Sequence, residues 1–251
     1  MSRPHAVVTG GGRGIGRECA VRLADDGYHV TVLDADAESA KSAAAAIDGA
    51  AVRVDVTDEA AVAAVAANLA ELDVLVNNAG VWEFTTLADT TAAQFHRVMS
   101  VNVLGTLLST RAFAPVMAAS GGGSIVNLTS VVGTAVRPGF GIYPASKAAI
   151  VAVTRQTALE YAAAGIRANA VGPGLVRTEG TRGTFGVDAG EEAALGALLP
   201  LGRLGEPADV ADVVSFLASA ASRYVTGQVI YVDGGLAQAT FPLLGQARRR
   251  Q

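Results

Sequence analysis

The stretch Thr9-Gly10-Gly11-Gly12-Arg13-Gly14-Ile15-Gly16 stands between a short apolar run, His5–Thr9, and an apolar-periodic segment that starts at Gly14. Its glycines permit a tight turn from a strand into a helix and let a ligand approach the backbone closely. A helix that begins here directs unpaired N–H groups and the positive end of its dipole at an anion such as a pyrophosphate. The Gly-x-x-x-Gly-x-Gly spacing departs from the more widespread Gly-x-Gly-x-x-Gly pattern. A plain structural turn is therefore an alternative for this stretch taken alone.

Outward from this turn, short β-branched apolar runs alternate with longer helical patterns. The runs are continuously apolar, which is typical of strands that are buried on both faces of a parallel sheet. No compositional break divides the series, so we predict a single doubly wound α/β domain of Rossmann type over residues 1–251, with helices on both faces of a seven-stranded parallel sheet. The predicted strands are His5–Thr9, His29–Leu33, Ala51–Val54, Val74–Val76, Ser124–Leu128, Arg167–Val171 and Gln228–Val232, and the predicted helices are Gly14–Asp26, Ala37–Ile47, Asp58–Leu69, Ala92–Met117, Pro144–Ala163 and Pro207–Ala220.

One long segment, residues 174–200, interrupts this alternation. It combines glycine, threonine and charged residues and shows little clear periodicity. A connection of this length inside a compact domain is usually either a functional lid or partly disordered. We predict that it forms a lid over the substrate site.

The composition excludes several classes of protein. The chain has 251 residues, of which 51% are hydrophobic and 17% charged, with a net charge of -4. The sequence has no stripe of basic residues, and this argues against nucleic-acid binding. We find no signal-peptide pattern and no apolar run of membrane-spanning length, and we expect a cytoplasmic protein that binds no membrane. Cys19 is expected in the core, and the scattered His5, His29 and His96 predict no metal site.

Polar residues follow the ends of the predicted strands, where open parallel sheets bind their ligands. Asp34 ends the second strand, where a carboxylate can bind an adenosine ribose and repel a 2′-phosphate, with a helix-capping role as the alternative. Asp55 ends the third strand and either contacts an adenine edge or shapes a turn. The amides of Asn77-Asn78-Ala79-Gly80 either tie loops together beside a nucleotide or only shape the loop after the fourth strand.

A tyrosine and a lysine four residues apart, Tyr143 and Lys147, follow Ser130 at the end of the fifth strand. On a helix such a pair shares one face, so we expect the ammonium to lower the pKa of the phenol, which is about 10 in a free tyrosine. A Tyr-x-x-x-Lys pair alone is common and mostly structural. Asn102 lies inside a predicted helix, where asparagine is unfavourable, and this predicts a specific polar partner or a local backbone bond.

Taken together, these motifs resemble the short-chain dehydrogenase/reductase family over nearly the whole chain, and the group of 3-oxoacyl-carrier-protein reductases within it. The resemblance implies hydride transfer between a nicotinamide cofactor and a small-molecule carbonyl or secondary alcohol. The matching residues are Thr9 to Gly16, Asn77-Asn78-Ala79-Gly80, Asn102, Ser130, Tyr143-Pro144-Ala145-Ser146-Lys147, Pro173-Gly174 with Thr178, and Gly227 to Gly235.

The resemblance also implies the role of each site residue. Tyr143 is the general acid/base, and Lys147 lowers its pKa and holds the nicotinamide ribose. Ser130 binds the substrate oxygen, and Asn102 positions a water. The implied cofactor-binding residues are Gly10, Gly12, Arg13, Gly14, Ile15, Gly16, Asp34, Asp55, Val56, Asn78, Ala79, Gly80, Tyr143, Lys147, Pro173, Gly174, Val176 and Thr178.

Three further expectations concern cofactor, assembly and substrate. Asp34 favours NAD over NADP, although Arg13 offsets part of its repulsion of a 2′-phosphate. Long alanine-rich helices, together with the resemblance, predict a homotetramer, with a dimer as the alternative. An idle NAD-binding redox sensor or scaffold, or an epimerase or dehydratase on the same fold, is the alternative function. The candidate pocket residues are Trp82, Val131, Val132, Phe140, Leu175 and Phe185 for an apolar wall, and Arg137, Arg177 and Arg182 for an anionic group, with ordinary packing and solvated arginines as the alternatives.

Overall fold

The computed structural model describes residues 3–181 and 189–239, which form one parallel seven-stranded sheet with helices on both faces. The strand order is β3-β2-β1-β4-β5-β6-β7, so the order reverses between β1 and β4. The predicted fold class is confirmed, and the predicted strands begin and end within three residues of the observed ones. The strands are β1 His5–Thr9, β2 His29–Asp34, β3 Ala50–Arg53, β4 Val74–Asn77, β5 Gly123–Leu128, β6 Ile166–Pro173 and β7 Val229–Val232, and the helices are α1 Gly14–Asp25, α2 Ala37–Ala45, α3 Glu59–Ala67, α4 Ala92–Met99, α5 Gly105–Ala119, α6 Tyr143–Glu160, α7 Ala189–Gly196 and α8 Pro207–Ala218.

Two hydrophobic cores lie on the opposite faces of the sheet. Successive strand residues point to opposite faces, so Val7 belongs to one core and its neighbour Val8 to the other. The Val8 core includes Leu23 of α1 and Val214 of α8, whereas the Val7 core includes Phe113 of α5. Burial on both faces explains why the strands are continuously apolar. The fully buried Cys19 belongs to the Val8 core, and burial raises the pKa of its thiol to about 12.

Helix starts follow from local hydrogen-bonding chemistry. The Asp58 carboxylate accepts the N–H of Ala61 at 3.0 Å and caps α3. Thr91 and Gln94 form a reciprocal capping box at the start of α4. Pro207 is the first residue of α8, where its missing N–H is not needed. These interactions fix the first residues of α3, α4 and α8.

The predicted helix Ala92–Met117 is not one regular α-helix. A π-helical turn, Ser100–Leu104, separates α4 from α5, and the N–H of Gly105 donates to the carbonyl of Ser100. The extra residue in this turn shifts the register of the helix, and π turns of this kind often occur at functional sites. Asn102 lies in the turn with only 1% of its surface exposed.

Residues 174–200 contain more regular structure than the sequence suggests. No helix was predicted in this segment, yet Ala189–Gly196 forms α7. The chain just after β6 is also paired, because the N–H of Arg177 donates to the Gly205 carbonyl at 2.8 Å and the N–H of Gly205 donates to the Leu175 carbonyl at 2.9 Å. The candidate residues Arg182 and Phe185 lie outside the described residues.

One helical segment passes a length and composition test for a membrane span, although polar residues such as Arg97, Asn102 and Arg111 interrupt its apolar sequence. It is the continuous helix Ala92–Ala119, with 28 residues and a mean hydropathy of 1.2 in its most apolar window. Half of that window is buried inside the protein, as in the core helices of many water-soluble folds.

Phe113 provides a direct test of the packing against α5. Its side chain is completely buried, so Phe113→Ala leaves a large cavity and should lower the free energy of unfolding by about 3–5 kcal/mol in urea titrations. The exposed Leu87 is the control, and Leu87→Ala should change the free energy of unfolding by no more than about 0.5 kcal/mol. Equal effects of the two substitutions would contradict the core described here.

Candidate active site

A cleft of about 960 Å³ opens at the carboxyl ends of the strands and runs from the glycine-rich turn to Tyr143. This is the edge at which doubly wound sheets bind ligands. The structure brings all but two of the predicted site residues to this cleft. The exceptions are Gly12 and Asn102, which lie behind its wall. The predicted residues that line it are Gly10, Arg13, Gly14, Ile15, Gly16, Asp34, Asp55, Val56, Asn78, Ala79, Gly80, Ser130, Tyr143, Lys147, Pro173, Gly174, Val176 and Thr178.

The glycine-rich turn requires glycine for two separate reasons. Gly10 and Gly14 have φ angles of +60° and +55°, which other residues rarely adopt. A Cβ on Gly16 would lie 2.2 Å from the Gly10 carbonyl oxygen, so α1 packs directly against the turn. At Gly14 the nearest atom to an added Cβ is a methyl of Thr178 at 3.7 Å, so the backbone there is open. The turn therefore has the form of a cradle for a phosphate group.

The loop after β4 is tied to this turn by Asn78 and Thr9. The side-chain amide of Asn78 donates to the carbonyls of Thr9 at 3.1 Å and Gly10 at 2.8 Å. The Thr9 hydroxyl accepts the N–H groups of Asn78 and Ala79, both at 3.1 Å. The predicted loop-tying role of the amide is thus observed. The role of Thr9 was missed, since a threonine that ends an apolar strand gives no distinct signal.

The carboxylates of Asp34 and Asp55 line the cleft and also shape their own loops. Asp34 accepts the N–H of Gly12 and the N–H of Asp36, both at 3.0 Å. A Cβ on Gly12 would lie 2.9 Å from Asp34 Oδ2, so this contact depends on glycine. Asp55 accepts the N–H of Thr57 at 2.9 Å and its hydroxyl at 2.8 Å, which is a turn interaction.

Lys147 is almost completely buried and forms part of the floor of the cleft. Only 5% of its surface is exposed, and its Nζ donates to the Leu128 carbonyl at 2.8 Å, at the end of β5. Burial lowers the pKa of its ammonium to about 8, because an apolar environment disfavours the charged form. Nζ lies 5.7 Å from the centroid of the Tyr143 ring.

The pKa of Tyr143 moves in the direction opposite to the sequence prediction. Burial raises it to about 12, and a side-chain hydrogen bond with Ser130 opposes only part of that shift. The expected lowering by Lys147 is wrong for this arrangement, because the ammonium is directed at the Leu128 carbonyl and the effect of burial dominates the pKa of the half-buried Tyr143. Ser130, not Lys147, is the group that favours the phenolate.

Ser130 is held loosely by its other partners. Its hydroxyl donates to the Pro173 carbonyl at 3.4 Å and accepts the N–H of Val132, also at 3.4 Å. Both contacts are long for hydrogen bonds of a hydroxyl. The hydroxyl therefore has capacity for a stronger partner in the cleft.

Asn102 has the specific polar partners that its position in a helix predicts. Its Oδ1 accepts the N–H of Val81 at 2.8 Å, and its Nδ2 donates to the Val81 carbonyl and to Ser146 Oγ, both at 2.9 Å. Ser146 Oγ in turn donates to the Tyr143 carbonyl at 2.7 Å. Both amide hydrogens are therefore used, and only acceptor atoms of Asn102 are left for the predicted water. Ser146 was not singled out from the sequence, although it lies within the Tyr143–Lys147 motif.

The part of the cleft beyond Tyr143 has a mostly apolar wall. Of the two described candidate arginines, Arg137 lines the cleft. Arg177 does not, and forms ion pairs with Glu192 at 2.9 Å and with Glu206. The apolar candidates that line the cleft are Trp82, Val131, Val132, Phe140 and Leu175, joined by Phe84, which the sequence did not indicate.

Comparison with known proteins identifies the family of this chain. A family model described as enoyl-(acyl carrier protein) reductase matches residues 10–237. The chain is 42% identical over 238 residues to a galactitol 2-dehydrogenase (L-tagatose-forming) of Cereibacter sphaeroides, which covers 92% of this chain and 93% of that protein. It is 36% identical over 241 residues to a 3-oxoacyl-[acyl-carrier-protein] reductase of Staphylococcus aureus, covering 92% and 97%.

A solved structure extends the comparison to three dimensions. A protein described as a short chain dehydrogenase/reductase family protein superimposes with a TM-score of 0.87 and 40% identity, over 94% of this chain and 97% of that one. The resemblance found in the sequence is thereby confirmed. The chain belongs to the short-chain dehydrogenase/reductase family of oxidoreductases, which act on alcohol and carbonyl carbons with nicotinamide cofactors.

Proposed function

We propose that the chain is an NAD-dependent dehydrogenase in which Tyr143 exchanges a proton with the oxygen of a small alcohol or carbonyl substrate. The observation that carries this proposal is the convergence of Ser130, Tyr143 and Lys147 in the same cleft as the glycine-rich turn. One cleft thus contains both a cradle for a dinucleotide and a proton donor beside an apolar pocket.

Several residues of the cleft are suited to the separate parts of a nicotinamide dinucleotide. The open backbone at Gly14 is suited to the pyrophosphate, and Asp34 to the adenosine ribose. A Cβ on Gly80 would lie 3.5 Å from Lys147 Nζ, so this glycine leaves space beside the ammonium for the second ribose. We assign Val176 and Thr178 to the nicotinamide end. When bound, the nicotinamide supplies or accepts the hydride.

The chain's own groups handle the proton. With a pKa of about 12, the Tyr143 phenol is protonated at neutral pH and is ready to act as the acid in reduction. Ser130 stabilises the phenolate and also binds the substrate oxygen as negative charge develops there. Asn102 acts through Ser146, which holds the first turn of α6 and therefore the position of Tyr143. Proton transfer of this kind typically contributes about 10²- to 10⁴-fold to the rate.

The acid/base role of Tyr143 is tested by removing one hydroxyl. In Tyr143→Phe, NADH binding should be retained, while turnover with an alcohol or ketone found in a substrate panel should fall by about 10²-fold or more. Tyr161→Phe at the end of α6 is the matched control and should retain turnover. Near-normal turnover in Tyr143→Phe would refute the assignment. Tight NADH binding with no turnover across the whole panel would favour an idle sensor or scaffold.

Cofactor choice follows from the fixed carboxylate of Asp34. We propose NAD, because this carboxylate would repel a 2′-phosphate. Arg13 offsets only part of this repulsion, because it also lies near the carboxylate of Asp36. The pKa of Asp36 is lowered mainly by hydrogen bonds from Ser39, and the charge of Arg13 makes a minor contribution.

The ratio of kcat/KM for NAD to that for NADP measures this preference. The wild-type ratio should be above one, and Asp34→Asn should reduce it by about tenfold, or about 1.4 kcal/mol. Asp55→Asn is the control, since Asp55 lines the same cleft without an assigned role at the 2′ position, and it should alter both cofactors equally. A wild-type preference for NADP would contradict the proposal.

We propose a cytoplasmic location for the enzyme. The single cysteine is free and buried, which suits a reducing compartment.

We further propose a homotetramer, with a dimer as the smaller alternative. Several large apolar side chains are exposed on the helices that the sequence singled out for subunit contacts, including Phe95, Leu104 and Leu107 on the α4–α5 segment and Leu159 on α6. Light scattering at micromolar concentration should give the mass of four chains, and Leu107→Arg should shift it to a smaller species. Leu87→Arg, at an exposed loop residue, should leave the mass unchanged. A monomeric wild-type protein would refute both assemblies.

We also propose that residues 174–200 act as a lid. Thr178, Gly180 and Thr181 line the cleft, and the Arg177–Glu192 ion pair links this stretch to α7. Amide hydrogen exchange across residues 174–200 should slow when cofactor and substrate analogue bind together, because closure excludes water. Equal amide exchange rates in the free and ternary states would rule the lid out. The amides of β1, which should exchange at the same rate in both states, are the reference.

A further inference from the structure

An aromatic stack that ends in an arginine stands in the part of the cleft beyond Tyr143. The rings of Phe84 and Phe140 stack with centroids 4.5 Å apart and an interplanar angle of 25°. The guanidinium carbon of Arg137 lies 4.9 Å from the centroid of Phe140. All three residues line the cleft. Attraction between the cation and the ring holds the guanidinium in place, while its in-plane N–H groups stay available to an acceptor.

The charge of Arg137 has no carboxylate partner within ion-pair distance among residues 3–181 and 189–239. Apart from Arg13 in the glycine-rich turn, one other arginine lines the cleft. This is Arg97, which forms an ion pair with Glu83 at 3.2 Å. Glu179 also lines the cleft, but no ion pair joins it to Arg137 in the described part of the chain. Within the described part of the chain, the guanidinium of Arg137 is therefore an exposed cation without a carboxylate partner, and it is available to a molecule in the cleft.

The surroundings of Arg137 indicate what such a molecule must look like. Trp82, Val131, Val132 and Leu175 line the same cleft and contribute apolar surface to it. An apolar pocket with one placed charge selects a ligand that has an apolar body and one charged group of opposite sign. A carboxylate matches the planar, forked donors of a guanidinium and carries one negative charge. A phosphate dianion would add a second negative charge in a cleft that also contains Glu179.

We infer that Arg137 is a specificity-determining residue that binds a carboxylate of the substrate. The enzyme then acts on hydroxy acids or oxo acids in which an apolar body separates the carboxylate from the reacting carbon. This inference rests on the proposed function, because Tyr143 and Ser130 mark the position of the reacting oxygen. It adds the chemical class of the substrate, which neither residue determines.

Matched substrates test the inference by kinetics. Cyclic and open-chain secondary alcohols are offered with NAD, each as the carboxylate and as the uncharged primary amide. Wild-type kcat/KM should favour the carboxylate by about tenfold or more, which corresponds to about 1.4 kcal/mol. Arg137→Gln should remove this preference mainly through KM, whereas Arg97→Gln, the control, should keep it. Equal kcat/KM values for acid and amide, with turnover intact, would overturn the role of Arg137 and leave that of Tyr143 untouched.

A binding experiment tests the same residue without catalysis. The enzyme–NADH complex is titrated calorimetrically with cyclohexanecarboxylate and with cyclohexanecarboxamide, since the reduced cofactor lacks the positive nicotinamide ring that would itself attract an acid. The carboxylate should bind about tenfold more tightly, and Arg137→Gln should abolish the difference. Equal binding of the two probes by the wild-type complex would overturn the inference. Preferential carboxylate binding in an enzyme that turns over no alcohol would support Arg137 and contradict the proposed dehydrogenase.

Discussion

The buried ammonium of Lys147 is the constraint on which the rest of this site depends. Its hydrogen bond to the Leu128 carbonyl holds α6 against the carboxyl end of β5, and the Thr129 hydroxyl strengthens the junction by donating to the Lys147 carbonyl at 2.6 Å. A buried charge is unfavourable unless it is well paired, and the pKa of about 8 reflects this. Because the folded state binds this proton more weakly than the unfolded chain, the charge destabilises the fold below about pH 8, and that penalty is relieved as the pH rises towards the unfolded pKa.

The neighbouring elements place Tyr143 above this ammonium. The π turn brings Asn102 to the backbone of Val81 and to Ser146, and Ser146 holds the carbonyl of Tyr143. Four separate parts of the chain therefore meet at the first turn of α6: the loop after β4, the π turn, the end of β5 and α6 itself. A site built in this way keeps the phenol protonated and fixed, and leaves Ser130 loosely held and ready to bind the substrate oxygen. The cofactor and substrate ends of the cleft are then organised on either side of one tyrosine.

The fold was predictable because its signals are local and redundant. Continuously apolar runs such as His5–Thr9 reveal burial on both faces, and the glycine turn marks where the first helix begins. The sequence predicts which residues line the site, but it does not predict their pKa values. Spacing places Lys147 on the same face as Tyr143, yet it does not show that Nζ reaches the Leu128 carbonyl or that burial dominates the pKa of the phenol. The π turn also escaped prediction, since one extra hydrogen-bonded residue leaves the apolar pattern of the helix intact. Arg177 was a candidate for anion binding, but its pairing with Glu192 depends on a helix that shows little periodicity.

The charge state of Lys147 tests this account most directly. Lys41 and Lys147 are the only lysines in the chain, so a protein labelled with [ε-¹³C]lysine gives two side-chain resonances that can be titrated separately by NMR. Lys147 should titrate with a midpoint near pH 8, while exposed Lys41, whose pKa is raised by its hydrogen bond with Glu38, should titrate well above it. If both resonances titrate together above about pH 10, as unperturbed lysines do, then Lys147 is not the buried, weakly paired cation on which this description of the site depends.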